Sequence, residues 1–235
     1  MTRVQARGIE LTPAHPVETA AGVLRTTPLV LIDLTTDDGV VGHSYLRCYS
    51  PLVLGALVRL VNDLGASGLP AAALRAELKL IGTRGLVGHA LAGLDMAQWD
   101  AAAKTAGVPL ATLLGGAPAP VRAYASLRTM APGPAAEEAS AAAAQGFTAV
   151  KVKVGRGTLD DDRAAIRAVR SAVGSGVGIM VDYNQSLTVA EAVRRVRVLD
   201  DLGLTWIEEP TTAEDLAGHA EIGRASCRER VWIPV

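Results

Sequence analysis

The sequence predicts an α/β chain in two parts: an α+β region ending near Pro120, then βα units with parallel strands. Three observations predict it. Two β-rich runs flank an Asp-Gly turn near the start. A block of helical periodicity follows. After Pro120, short valine-rich runs alternate with amphipathic stretches four times in succession.

In order, Val4 to Leu11 reads as a strand and Thr12 to Leu24 as a Pro- and Gly-punctuated loop. Pro28 to Thr35 and Val40 to Tyr45 are strands around Asp37-Asp38-Gly39, completing an antiparallel meander. Pro51 to Leu64 and Pro70 to Leu80 carry apolar residues at helical spacing. Leu86 to Ala106 is a long helix with Leu91, Leu94, Met96 and Trp99 as candidate core positions. Val108 to Leu114 is a short helix ended by Gly115-Gly116.

The later strands are Arg122 to Ser126, Ala149 to Val154, Val177 to Asp182 and Thr205 to Glu208. Their helices are Ala135 to Gln145, Leu159 to Val173, Thr188 to Leu202 and Ala213 to Arg224. Both a (β/α)8 barrel and a doubly wound sheet begin this way.

Bulk properties narrow the function. A length of 235 residues at 49% hydrophobic suits one large or two modest cores. A net charge of −1 argues against nucleic-acid or membrane partners. The N-terminus lacks the apolar core of a signal peptide, and no apolar run approaches the ~20 residues of a membrane helix. Cys48 and Cys227 lack zinc spacing and suit a reducing compartment, so a cytoplasmic protein is expected.

The chemistry is concentrated at strand ends. Ser126, Lys151, Asp182 and Glu208 fall 25, 31 and 26 residues apart, one βα unit each. In a (β/α) barrel, groups placed there converge on one pocket. Lys151 and Lys153 share one strand face, in a chain with 4 lysines and 19 arginines. Alone, Lys-x-Lys is usually a solvated face, and Glu-Glu-Pro usually starts a loop; the joint pattern is what carries weight. Asp182, Asn184 and Glu208 offer oxygen donors suited to a hard cation such as Mg2+. A desolvated lysine next to another lysine is expected to have a lowered pKa and to act as a base. A metal facing that base points to proton removal next to a carboxylate.

The runs P-L-V-L-I-D-L, G-V-V-G-H-S-Y, G-I-M-V-D-Y-N-Q-S-L and T-W-I-E-E-P-T resemble the enolase superfamily, mandelate racemase subgroup, from about Pro16 to His219. The resemblance implies an α+β N-terminal capping domain over residues 1–120, then a partial (β/α) TIM-type barrel of about four units over 121–220. It implies Asp182 and Glu208 as Mg2+ ligands, with Asn184 as a polar neighbour of the metal. Lys153 matches the base for the S-enantiomer. Lys151 and Ser126 match groups on the substrate carboxylate. The segment Pro16 to Leu24 matches a substrate-covering flap, in which Val17, Ala21 and Leu24 would touch substrate.

The implied substrate is a small 2-hydroxy carboxylate, racemised through an enediolate. The full-length protein would be a homo-oligomer. Two alternatives are a sugar-acid dehydratase and a non-catalytic binding or assembly fragment. The family's third metal-binding Glu, its His-Asp dyad and a last acidic residue come from later strands. The chain is therefore expected to be a C-terminally truncated fragment, inactive in racemisation, with an unpaired edge after its fourth barrel strand. Residues 221–235 read as an atypical tail, either a sequencing or vector artefact or a genuine shortened frame.

Overall fold

The computed structural model describes residues 3–225 and 231–232. Packing divides the chain into two compact units: Met1–Pro13 with Thr26–Pro120, and Ala14–Arg25 with Val121–Val235. The first strands are β1 (Arg3–Leu11), β2 (Val17–Thr19), β3 (Gly22–Leu24), β4 (Thr27–Thr35) and β5 (Val41–Arg47).

In the first unit β1, β4 and β5 form an antiparallel sheet in that order. Val30, Ile32 and Leu34 of β4 alternate inward, as the period of two requires. The helices α1 (Leu54–Ala66), α2 (Ala71–Glu77), α3 (Gly85–Ala106) and α4 (Leu110–Leu113) follow. Short 3-10 turns at Pro51–Val53 and Leu78–Leu80 take the ends of what read as longer helices. Leu91 and Leu94 of α3 are buried, but Met96 and Trp99 are exposed. The helix is apolar around much of its circumference, so periodicity alone does not select its inner face. No single helix among the described residues is long and apolar enough to cross a membrane.

One contact sets how closely α3 approaches β5. A Cβ on Gly42 would lie 2.0 Å from the Ala97 carbonyl oxygen. Backbone cannot yield as a flexible side chain can. Gly42→Ala is therefore expected to cost about 1–3 kcal/mol or more, read as a lower denaturant midpoint. An unchanged midpoint would show that α3 shifts freely.

The second unit contains β6 (Ala125–Ser126), α5 (Pro132–Ala144), β7 (Ala149–Lys153), α6 (Leu159–Val173), β8 (Gly178–Asp182), α7 (Val189–Leu199), β9 (Ile207–Glu208), α8 (Leu216–Ala225) and β10 (Val231–Trp232). The five strands from β6 to β10 are parallel and adjacent in sequence order. A doubly wound sheet would reverse that order at a switch point. Continuous order is the barrel pattern, which resolves the ambiguity left by the βα rhythm.

Val150, Val152 and Val154 turn to the helices and are buried with Ile179 and Val181. The lysines of β7 take the opposite face. The outer edge of β9 is paired by β10, through Val231↔Ile207 and Trp232↔Glu208. The expected unpaired edge after the fourth strand is thus corrected. The segment read as a loop between Thr12 and Leu24 contains the β2–β3 hairpin, closed by a Thr19 hydroxyl bond to the Gly22 carbonyl at 2.9 Å. Cys48 is buried and outside any disulfide. Cys227 lies outside the described residues, as does most of the segment from 226 to 235.

Candidate active site

Parallel register brings the charged residues together. Lys153 pairs in register with Asp182, and Asp182 with Glu208. Ser126 pairs with Lys151 two residues earlier on β7. Lys151, Lys153, Asp182 and Glu208 are each less than one tenth exposed. Four charges at that depth require mutual compensation.

They provide it for one another. Lys151 Nζ lies 2.7 Å from Glu208 Oε1 and 3.2 Å from Asp182 Oδ2. Lys153 Nζ lies 3.5 Å from Asp182 Oδ2. The other Asp182 oxygen accepts the Asn184 backbone N–H and side-chain Nδ2, each at 2.8 Å. Asn184 Oδ1 is buried and has no hydrogen-bond partner among the described residues.

The expected fall in lysine pKa is not what Lys151 shows. Burial lowers it, but the Glu208 hydrogen bond and the Asp182 and Glu208 charges raise it more. The net direction is upward from the ordinary 10.5. The sequence shows the neighbouring lysine two residues away; it does not show two carboxylates reaching across from β8 and β9.

Two aromatic residues complete this wall. Tyr124 sets its ring 5.6 Å from Lys151 Nζ and meets Trp206 edge-on at 5.5 Å. Trp206 Nε1 donates to Glu208 Oε2 at 3.2 Å, leaving the other oxygen to Lys151. Sequence reading missed both residues. The available signal was the strand period: Tyr124 precedes Ser126 by two, and Trp206 precedes Glu208 by two.

The turns beyond β8 and β9 are strained. Asn184, Gln185 and Glu209 have φ of 45°, 62° and 44°, unusual for residues with a side chain. Gln185 holds them: its N–H donates to the Glu209 carbonyl at 2.8 Å, and its Oε1 accepts from Ala213 N–H at 3.1 Å. Such conformations persist where surroundings over-determine them, commonly at functional sites.

The hairpin docks within the same unit. Glu18 N–H donates to the Arg128 carbonyl at 2.8 Å, and Met130 N–H donates to Glu18 Oε2 at 2.9 Å. Arg156 Nη2 donates to the Thr19 carbonyl at 2.8 Å. Glu18, Arg156 and Lys153 help line a cavity of about 360 Å3. Val17 and Leu24 pair across the hairpin, and Ala21 is exposed in its turn. Glu18 is the hairpin residue lining that cavity.

A hard cation could be held by Asp182, Glu208 and Asn184. All offer oxygen, and the orphaned Asn184 Oδ1 is an acceptor whose lone pairs have no partner among the described residues. Among the described residues no group of three or more His, Cys, Asp or Glu forms a metal cluster, so these two carboxylates and one amide are the donor set.

Known proteins carry the same architecture. Residues 3–115 match the family model for the mandelate racemase / muconate lactonizing enzyme N-terminal domain, and residues 134–235 match the enolase C-terminal domain-like model. D-galactarolactone cycloisomerase of Agrobacterium fabrum is 32% identical, over 94% of this chain and 61% of its own length. L-talarate/galactarate dehydratase of Salmonella typhimurium is 34% identical, over 62% of this chain and 37% of its own. An enolase from Bradyrhizobium, crystallised with magnesium and mandelic acid, is 43% identical with a TM-score of 0.87. That similarity covers 96% of this chain and 65% of that one. The chain thus spans less than two thirds of the relatives it matches here.

Proposed function

For a chain that belongs to the mandelate racemase / muconate lactonizing enzyme family of the enolase superfamily, we propose Mg2+-assisted removal of the α-proton of a 2-hydroxy carboxylate. The carrying observation is the buried cluster of two lysines and two carboxylates at the carboxyl ends of β7, β8 and β9. Asp182 and Glu208 would hold the cation, with Asn184 beside them. Bound Mg2+ supplies positive charge where the enediolate develops.

The chain's own residues have distinct parts in this reading. Lys151, clamped by two carboxylates, stays an ammonium and neutralises the substrate carboxylate, with Ser126 as hydrogen-bond partner. Lys153, with one longer contact to Asp182, is the base that takes the α-proton. The hairpin excludes water from above the lysines. Oligomeric assembly of the full-length protein belongs to this reading.

Dehydration of a sugar acid is a second reading, and one observation favours it. Over 148 residues the chain is 34% identical to a relative of that class. The dehydratase from Salmonella typhimurium is named for such substrates.

Proton NMR in D2O separates these readings. With Mg2+, the protein is incubated with each enantiomer of mandelate and with galactarate. Exchange of the α-proton of mandelate is expected, fastest for the enantiomer whose α-proton faces Lys153. A 2-keto product from galactarate would favour dehydration. Intact α-proton signals across the panel would sink both.

A further inference from the structure

On the helix side of β7 and β8 lies a buried charged cluster that the chemistry above does not use. Asp162 of α6 is 3% exposed and Arg195 of α7 is 7% exposed. Asp162 Oδ1 accepts the Gly155 N–H at 2.9 Å. Its Oδ2 accepts the Tyr183 hydroxyl at 2.9 Å and Arg195 Nη1 at 2.6 Å. Arg195 also donates to the Gly157 carbonyl at 3.1 Å and to Glu191 Oε1 at 2.6 Å.

A buried ion pair is a poor stabiliser compared with apolar packing of the same volume. What the pair holds is more informative. Gly155 is two residues beyond Lys153, and Tyr183 sits between Asp182 and Asn184. The ladder between β7 and β8 ends at the Val154 N–H to Asp182 carbonyl bond. Past that point the Asp162 carboxylate is the bridge: one oxygen takes the loop after Lys153, the other the residue after Asp182.

The two segments also touch. Gly155 has φ +96°, and a Cβ there would lie 2.6 Å from the Tyr183 ring and from Ser186 Oγ. Tyr183 is fully buried, and Asp162 is the acceptor for its hydroxyl.

We propose that Asp162, held by Arg195, is a positioning residue that sets the lysine strand end against the ligand strand end through Gly155 and Tyr183. The proposal rests on the reading that Asp182 and Asn184 face a divalent cation. Through Tyr183 it fixes where those donors stand, and through Gly155 where Lys153 ends. Partners bonded directly to a metal ligand typically change affinity 10- to 100-fold when lost, and Asp162 acts one residue further out, through the neighbour of Asp182 and Asn184, which points to the lower end of that range.

The test uses the full chain and Tyr183→Phe, which removes one hydroxyl and keeps the ring. Asp162→Asn is the stronger variant, and Val169→Ala in the α6 core is the control for general destabilisation. Hydrogen exchange by mass spectrometry is read first. Tyr183→Phe should speed exchange of residues 153–157 and 183–187 about tenfold while residues 189–199 stay near the parent. Val169→Ala should show no such focus. Mn2+ binding, followed by loss of the free-ion EPR signal, is read second, and Tyr183→Phe should weaken it about tenfold. Unchanged exchange in both segments would overturn the proposal, and so would unchanged Mn2+ affinity in a variant whose parent binds. A parent that binds no Mn2+ would instead overturn the metal reading, and the exchange result would still decide the positioning role.

Discussion

Replacing Lys153 with alanine should slow exchange of the substrate α-proton by about 10²–10⁴-fold, the usual contribution of a positioned base. The structure separates the two lysines by how firmly each is held. Lys151 meets two carboxylates at 2.7 and 3.2 Å, and its pKa is raised. Among the described residues Lys153 has one ion pair, to Asp182 at 3.5 Å. The loosely held lysine is the better proton carrier, and the clamped one the better fixed charge. Lys153→Arg distinguishes proton transfer from charge. Arginine keeps the cation near Asp182 but does not release its proton near neutral pH. It should therefore be as slow as the alanine variant. A Lys153→Arg protein exchanging α-protons at the parent rate would mean that Lys153 serves only as a charge. Lys151→Ala should instead weaken substrate binding, seen as a raised KM.

Asp182→Asn is expected to remove about 3–5 kcal/mol of stability, the usual cost of breaking a buried ion pair from one side. Asp182 is 2% exposed and faces both lysines through one oxygen and Asn184 through the other. An amide has one acceptor oxygen. Whichever way it turns, either the two ammonium groups or the Asn184 donors face an N–H. Glu208 would then be left as the carboxylate against both cations. Urea titration at pH 7 measures the loss.

The pH dependence has a definite sign. Lys151 has a folded pKa raised above 10.5, so its stabilisation is fully present below that value. It is lost as pH rises through the folded value. The gap between parent and variant should therefore be widest near neutrality and narrow above about pH 10.5. Equal stability at pH 7 would show that the lysines reach water when their partner is lost.

The βα rhythm was readable because each strand between Ala149 and Glu208 is a short valine- or isoleucine-rich run ending in a polar residue. Parallel register puts Lys153, Asp182 and Glu208 in one row, with Lys151 two residues back on the same face, so spacing by βα unit was enough to group them. The hairpin was not readable. Its strands are three residues each, and its anchors are Arg128, Met130 and Arg156, more than a hundred residues away in the chain. Met96 and Trp99 misled because an apolar residue on a helix predicts burial only when the opposite face is polar. Asp162 is one of three consecutive aspartates in the first turn of α6, where acidic residues are ordinary. Nothing in that run marks the one that turns inward to Arg195. The direction of the Lys151 pKa depended on partners from two other strands.

The hairpin has a consequence for how the chain comes to be folded. Glu18 is made 112 residues before Met130, whose N–H it accepts. At about 5–20 residues per second of synthesis, that is a wait of roughly 6 to 22 s. During it, residues 14–25 hang from the chain beside a segment that can already fold around β1, β4 and β5. The β2–β3 hairpin thus leaves the ribosome well before its seat exists, and docks only once residues 128–156 have followed.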